Sequence, residues 1–177
     1  MSLEFIESKI MAVPDFPKAG IMFRDITPLL ADPNGLKATT AAMVAEINKK
    51  GYKPTIIAGT ESRGFIFGVA LAEALRLGFV PVRKPGKLPR ATYSVSYDLE
   101  YGSDSLEIHQ DAFSKDDVVL VVDDLLATGG TAEAAAELIT SQGAEVVGFS
   151  FVVELSFLSG KDILTKYSKN IASLIKF

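Results

Sequence analysis

Residues 118–131, VVLVVDDLLATGGT, constrain the fold of this chain more than any other segment. An unbroken apolar run, 118–122, is followed by two adjacent acids, Asp123 and Asp124, and then by a loop of small and hydroxyl residues, 127–131. An alanine-rich stretch comes next. Because continuous apolar strands are typical of parallel sheets covered on both faces, the segment predicts a buried strand, a tight loop and a helix start.

The same segment predicts a ligand site. In open α/β sheets, ligands bind where the carboxyl ends of strands meet helix N-termini, whose unpaired N–H groups suit a phosphate. Asp123 and Asp124 would repel that phosphate, so we expect them to bind two sugar hydroxyls, with the phosphate in the 127–131 loop. The predicted ligand is a sugar 5-phosphate. An ordinary strand–turn–helix with acidic capping is the alternative, because short motifs also occur by chance.

The rest of the chain alternates between apolar strands and helical patterns. The predicted helices cover residues 32–51, 64–77 and 131–142, with Gly51, Gly78 and Gly143 as their ends, and the predicted strands cover residues 55–58, 79–83, 118–122 and 145–153. This order is typical of an α/β fold with an open, twisted, mainly parallel sheet flanked by helices.

One segment departs from that pattern. Large apolar and small polar residues alternate over 92–100, residues 101–104 have the composition of a turn, and Leu106 and Ile108 resume the alternation. This predicts an antiparallel hairpin, which beside a phosphate site is a candidate lid. On the residues alone, a solvent-facing hairpin without a role is an equal alternative.

Composition excludes several classes of protein. The 177 residues, 48% of them hydrophobic, suit one globular domain. The absence of cysteine excludes disulfides, thiol nucleophiles and zinc–thiolate sites, and the single histidine, His109, excludes a multi-histidine metal site. A net charge of −4 argues against general nucleic-acid binding. Without a secretory signal or a long apolar run, we expect a soluble cytoplasmic protein with no membrane partner.

Two further segments are suited to anions. Residues 59–65, GTESRGF, place Ser62 and Arg63 between a strand and a helix, where an arginine fork and free N–H groups can hold a phosphate. The loop 83–90 gathers four cations, as a pyrophosphate leaving group requires. A capped helix start and a solvated basic loop are the alternatives.

An irregular apolar segment precedes these elements. Proline and glycine interrupt residues 14–30, which also carry several large apolar side chains. Such a segment can form a wall on which a planar base stacks. By sequence logic alone, an arm that covers the sheet or a partner subunit is the preferred interpretation.

These segments together resemble a known family. Residues 123–131 resemble the signature of the type I phosphoribosyltransferases. GIMFRDITPLL, GTESRGFIFG, PVRKPGKLPR, YDLEYGSDSLEIH and VVDDLLATGGT occur in the order seen in the adenine branch of that family, and the strand end 152–155 extends the match. Xanthine, hypoxanthine and orotate enzymes share the 123–131 motif. The segment around Phe23 and the hairpin residues 99–102 are similar to the adenine phosphoribosyltransferase branch.

The resemblance implies a fold and an activity. The fold is one Rossmann-like domain, 1–177, with an N-terminal arm or hood, 1–35, that contributes to the base pocket, and a hairpin lid, 91–109. The activity belongs to purine salvage: transfer of the 5-phosphoribosyl group from 5-phosphoribosyl-1-pyrophosphate (PRPP) to adenine, giving AMP and pyrophosphate. Mg²⁺ would be the cofactor, bound through PRPP and water. A cytoplasmic homodimer, paired near Arg83, is also implied.

The resemblance also assigns roles to residues. Asp123 and Asp124 would hold the ribose hydroxyls, and the 5-phosphate would contact Ala127, Thr128, Gly129, Gly130 and Thr131. Pyrophosphate would contact Ser62, Arg63, Arg83, Lys84 and Lys87, with a cis peptide before Ser62. Adenine would contact Met22, Phe23, Arg24 and Leu155. The implied catalytic residues are Glu100, Tyr101 and Arg63. Two positions depart from relatives: Glu61 stands where many of them carry aspartate, and Pro85 stands where some of them carry another basic residue.

Three other functions remain to be separated. A phosphoribosyltransferase for 6-oxopurines would present an acceptor where adenine presents a donor, so competition between bases distinguishes the two. A PRPP-sensing regulator without catalysis usually has an added DNA- or partner-binding segment. A generic nucleotide-binding α/β protein leaves the basic loop and the hairpin unexplained.

Overall fold

The computed structural model describes residues 2–99 and 102–177. Its contacts divide the chain into two compact units, Met1–Ala42 and Met43–Phe177. A single domain over 1–177 and a lid over 91–109 remain predictions. Within the described ranges, no helix combines the length and the apolar character that crossing a bilayer requires.

The first unit contains short helices and one strand pair. Its elements are α1 (Leu3–Glu7), β1 (Met11–Pro14), β2 (Met22–Asp25), α2 (Thr27–Ala31) and the start of α3 (Pro33–Lys50). The expectation of an irregular segment over 14–30 is therefore wrong for β2 and α2. Pro17 and Gly20 lie in the β1–β2 connection, where Gly20 has a φ of +86° and its N–H donates to Asp15 Oδ1 at 2.7 Å, while Pro28 occupies the first turn of α2.

The second unit carries a five-stranded parallel sheet. Its elements are β3 (Ile56–Thr60), α4 (Arg63–Leu75), β4 (Gly78–Val82), β5 (Thr92–Leu99), β6 (Gly102–His109), β7 (Val118–Leu126), α5 (Gly130–Ser141), β8 (Glu145–Glu154), a 3₁₀ turn (Ser156–Leu158), α6 (Lys161–Leu164) and β9 (Ile171–Lys176). The sheet order is β4-β3-β7-β8-β9, with all neighbours parallel. This confirms the predicted α/β fold class.

Strand β7 lies at the centre of the sheet and is buried on both faces. Val119 and Val121 belong to the hydrophobic cluster that includes the alanines of α5, while Leu120 and Val122 are fully buried outside that cluster. Both faces are therefore covered, as the continuous apolar run predicted.

The structure corrects several predicted boundaries. Strand β7 does not stop at Val122 but continues through both acids to Leu126, because its pairing with β8 continues to that residue. Helix α4 ends at Leu75 with Arg76 in the left-handed conformation, whereas Gly78 already begins β4. The edge strand β9 was not predicted.

The predicted hairpin is present as β5 and β6. Ser103 and Asp104 are paired within it, opposite Asp98 and Tyr97, so their assignment to the turn was wrong. The hairpin forms its own two-stranded sheet and joins the end of β4 through two hydrogen bonds between Arg83 and Glu107, at 2.9 and 2.7 Å.

Candidate functional site

A cavity of about 210 Å³ opens at the carboxyl ends of β3 and β7. It is lined by Glu61, Ser62, Arg63, Lys84 and every residue from Asp123 to Ala132. This is the edge of a parallel sheet at which α/β proteins bind ligands. The structure thus brings the predicted acid pair, the 127–131 loop and part of the predicted pyrophosphate group around one space.

The loop and the start of α5 form the anion-binding side of the cavity. Gly129 has a φ of +90°, and a Cβ at this position would lie 2.5 Å from the Gly160 carbonyl oxygen, so the turn requires glycine. The first intrahelical bond runs from the Glu133 N–H to the Gly129 carbonyl at 2.9 Å, and no described side chain caps this helix end. The preceding N–H groups are therefore available to a phosphate.

The acid pair lies in the last part of β7, the strand that leads into this loop. Asp124 is buried, and its Oδ2 lies 2.9 Å from Arg63 Nε. Asp123 Oδ1 accepts the N–H of Asp124 at 2.8 Å. Burial, followed by the charge of Asp124, raises the pKa of Asp123 to about 8. Burial also raises the pKa of Asp124, against the opposing effect of Arg63. Hydroxyl donors from a sugar would favour the charged carboxylates.

Asp123 is expected to reduce stability as the pH rises. Its pKa is higher in the folded protein than in the unfolded chain, so the folded state binds more protons between about pH 4 and pH 8, and the free energy of unfolding falls across that range. Asp123→Asn removes this titration. The wild type therefore loses stability between about pH 5.5 and pH 8.5, and Asp123→Asn does not. The free energy of unfolding of the variant minus that of the wild type should rise by about 1–3 kcal/mol over this range. Urea unfolding at both pH values measures the difference.

The exposed carboxylate of Asp116 provides the control for this experiment. Asp116→Asn should follow the wild-type pH dependence. Parallel stability curves for the wild type and Asp123→Asn would contradict the assignment of a raised pKa to Asp123.

Glu61 organises the basic residues at the end of β4. Its carboxylate accepts from Arg83 Nε at 3.1 Å, from Arg83 Nη2 at 3.4 Å and from the Lys84 N–H at 3.0 Å. Arg83 Nη1 also donates to the Lys87 carbonyl at 3.2 Å. Burial opposes ionisation of Glu61, but these partners outweigh it and lower its pKa. Arg83, expected to reach a partner subunit, is therefore paired within its own chain.

Lys84 connects the cavity to the hairpin. Its Nζ donates to the Tyr97 hydroxyl at 3.0 Å and forms an ion pair with Asp104. Burial alone would lower the pKa of Lys84, but Asp104 and Tyr97 outweigh burial and raise it. The side chain expected to meet pyrophosphate is thus held by residues of β5 and β6.

Some predicted residues do not line this cavity. Arg83, Lys87 and Leu155 are not among its lining residues. Met22, Phe23 and Arg24 belong to β2 in the first unit. The proposed catalytic residues Glu100 and Tyr101 lie outside the described residues.

The structure confirms one implied feature and adds further residues to the cavity lining. The peptide bond between Glu61 and Ser62 is cis, as the resemblance implied. Glu61, Leu125, Leu126 and Ala132 line the cavity although no role was predicted for them. Their only sequence signal is their position beside the predicted site residues. Within residues 2–99 and 102–177, no group of three or more His, Cys, Asp or Glu side chains is placed to hold a metal ion.

Comparisons with known proteins agree with this geometry. The family model for the phosphoribosyl transferase domain matches residues 26–169. An adenine phosphoribosyltransferase of Francisella tularensis subsp. tularensis is 72% identical over the full length of both chains. The crystal structure of an adenine phosphoribosyltransferase from Thermoanaerobacter pseudethanolicus is 50% identical, with a TM-score of 0.94 over 99% of this chain and 100% of that one.

A second solved structure carries ligands. It is the adenine phosphoribosyltransferase of Saccharomyces cerevisiae in complex with adenine and D-2,5-dideoxy-2,5-imino-altritol 1,6-bisphosphate. It is 38% identical to this chain, with a TM-score of 0.91 over 97% of both chains.

Proposed function

This chain belongs to the adenine phosphoribosyltransferases of the phosphoribosyltransferase family, and from that premise we propose the following account of its activity. It transfers the 5-phosphoribosyl group from PRPP to adenine and gives AMP and pyrophosphate, a purine salvage reaction. We assign the reaction to this site because one cavity is lined by the acid pair, Arg63 and the start of α5.

Each side of the cavity suits a different part of PRPP. Residues 128–131 line the cavity at the open start of α5, and their N–H groups would hold the 5-phosphate. Asp123 and Asp124 offer carboxylate oxygens to the two ribose hydroxyls, and hydrogen bonds to charged acceptors are strong. Arg63 lies beside Asp124, at the position from which a guanidinium can bind pyrophosphate oxygens on the neighbouring carbon.

The reaction develops charge of both signs. The anomeric carbon becomes positive as the bond to pyrophosphate breaks, and the leaving oxygen becomes negative. Arg63 and Lys84 line the cavity and would stabilise the negative charge. Asp123 and Asp124, held near the ribose hydroxyls, stabilise the positive charge on the sugar. The β5–β6 hairpin excludes water and protects PRPP from hydrolysis.

We propose Mg²⁺ as the cofactor. The described carboxylates of the cavity include an adjacent pair at 123–124 but no cluster of three, and this donor set suits an ion that keeps its waters and binds mainly to substrate phosphates. When bound, Mg²⁺ would neutralise pyrophosphate charge. Asp123 and Asp124 are the residues that would hold its waters.

The base pocket and the acid–base group remain proposals. Met22, Phe23, Arg24 and Leu155 would contact adenine. Glu100 would stabilise the ribosyl cation or move a proton on the base, with Tyr101 beside it on the hairpin. Unchanged turnover across pH in Glu100→Gln would exclude the acid–base role.

A cytoplasmic homodimer is proposed as the functional state. The outer face of α4 exposes Ile66 and Val69, which are 39% and 52% accessible, beside the edge strand β4. An apolar face next to the Arg83 segment suits a second copy of the chain. Sedimentation should then give twice the chain mass of 19.0 kDa.

The decisive experiment is AMP formation from adenine, PRPP and Mg²⁺, with hypoxanthine, guanine and xanthine as competitors. We expect adenine-selective turnover that chelation of Mg²⁺ abolishes. Preferred use of a 6-oxopurine would reassign the substrate. PRPP binding without any product would indicate the regulatory function instead.

A further inference from the structure

We propose that Gly160 and the Glu154–Lys161 ion pair position the 127–129 loop for the 5-phosphate. The proposal rests on the phosphate-binding role proposed above for that loop. None of the three residues lines the cavity, so each acts through the loop and not on the substrate. They are positioning residues in a segment that the family resemblance left without a role.

The first observation is a contact between two backbones. A Cβ at Gly160 would fall on the carbonyl oxygen of Ala127 and would lie 2.9 Å from both the Gly129 nitrogen and the Thr128 carbonyl carbon. A side chain at Gly129 would in turn meet the Gly160 carbonyl oxygen at 2.5 Å. Each glycine therefore permits the other's backbone to approach. The loop rests directly on residue 160, with no side chain between them.

The second observation is the ion pair that holds this segment. Lys161, next to Gly160, places Nζ 2.9 Å from Glu154 Oε1, and the Glu154 side chain is only 7% accessible. Glu154 pairs in register with Leu126, the residue at which β7 passes into the loop. The ion pair thus fastens the segment beneath the loop to the sheet at the point where the loop begins.

The third observation is the anchoring of α6. Leu164 is fully buried, and the Ile163 side chain lies 3.0 Å from the position of a Cβ on Gly129. The segment 160–164 is therefore a packed support. Since packed interiors transmit small displacements, a shift of this support moves the loop N–H groups.

Lys161 is the cation in direct contact with Glu154. Glu154 Oε2 is buried and has no hydrogen-bond partner among the described residues, and the contact with Lys161 is made by Oε1. Lys176 contributes a smaller favourable charge, so removal of Lys161 leaves the charge of this buried carboxylate only partly compensated. Here that charge would lie beneath the loop proposed to bind a phosphate.

Gly160→Ala tests the proposal when the binding of ribose 5-phosphate and the binding of pyrophosphate, the two halves of PRPP, are measured separately. The variant should weaken ribose 5-phosphate binding about 10- to 100-fold, because the loss of hydrogen bonds to a charged group has effects of that size. Its affinity for pyrophosphate with Mg²⁺ should remain within about twofold, since Ser62, Arg63 and Lys84 belong to other segments. Calorimetric titration of the full chain with each ligand separates the two effects. KM for PRPP should rise more than KM for adenine.

Gly148→Ala is the matched control. A Cβ at Gly148 would lie 2.6 Å from the Asn170 carbonyl oxygen, so this variant also forces a backbone contact, but in a part of β8 away from the loop. It should lose stability and keep wild-type affinity for ribose 5-phosphate. Equal loss of affinity in both variants would overturn the proposal, as would wild-type affinity in Gly160→Ala.

Lys161 variants test the ion pair without a backbone change. Lys161→Met should weaken the binding of ribose 5-phosphate and leave the binding of pyrophosphate unchanged. Lys161→Arg should restore at least half of the lost binding free energy. Wild-type affinity in Lys161→Met overturns the role of the pair even if Gly160→Ala fails to fold. If the wild type binds pyrophosphate but not ribose 5-phosphate, the phosphate-binding role of the loop and this inference both fail.

Discussion

Arg63→Ala is expected to lower kcat about 10²- to 10³-fold, the range found when one preorganised donor to a developing negative charge is removed. The described cavity lining contains two cations, Arg63 and Lys84, and Lys84 already has Asp104 and Tyr97 as partners. Arg63 remains 43% accessible beside Asp124, so its guanidinium can turn to pyrophosphate with little desolvation. Single-turnover kinetics with saturating PRPP and adenine measure the chemical step.

Two further variants define what Arg63 contributes. Arg63→Lys keeps the charge but loses the planar fork, and it should recover only part of kcat. Lys115→Gln, which removes an exposed cation just before the amino end of β7, whereas the cavity lies at the carboxyl end of that strand, should leave kcat unchanged. A kcat for Arg63→Ala within threefold of the wild type would restrict Arg63 to substrate binding.

The parts of the fold that depend on local patterns could be predicted. The apolar run 118–122 predicts a central strand, because only a position inside a covered sheet buries all of its side chains on both faces. The loop at 127–131 is specified by its glycines, and Gly129 does adopt a positive φ. The structure places this loop at the start of α5 and on the lining of the cavity, while its role in binding phosphate stays a prediction.

The extent of β7 could not be predicted in the same way. Two adjacent acids normally end a strand because they favour turns, yet Asp123 and Asp124 continue β7 by pairing alongside β8. Neighbouring strands override local propensity here. The consequence is chemical, because a strand position buries both carboxylates and raises their pKa values.

Contacts between distant segments were also invisible to sequence reasoning. Glu61 meets Arg83 across 22 residues, and Lys84 meets Asp104 across 20. Charge composition alone does not specify such pairs. Gly160 illustrates the same limit, since only the folded chain shows its backbone against Ala127.

The Asp124–Arg63 pair joins the proposed sugar and pyrophosphate subsites, and it implies opposite effects of one substitution. Asp124→Asn should weaken ribose 5-phosphate about 10- to 100-fold, because a charged acceptor of a hydroxyl is lost. The same variant should bind pyrophosphate with Mg²⁺ about two- to fivefold more tightly. In this variant Arg63 no longer has to break its ion pair with the Asp124 carboxylate, 2.9 Å away, before it binds pyrophosphate. The gain is small because an ion pair with one half-exposed partner contributes less than about 1 kcal/mol. Separate calorimetric titrations measure both constants.

Asp123→Asn is the matched control, since it removes the neighbouring carboxylate while the contact of Asp124 with Arg63 remains. It should weaken ribose 5-phosphate without tightening pyrophosphate. The opposite signs in Asp124→Asn matter because a general loss of stability or a distorted cavity would weaken both ligands together. Weaker binding of pyrophosphate by Asp124→Asn would therefore show that Asp124 orients Arg63 for pyrophosphate, and would contradict competition between the two.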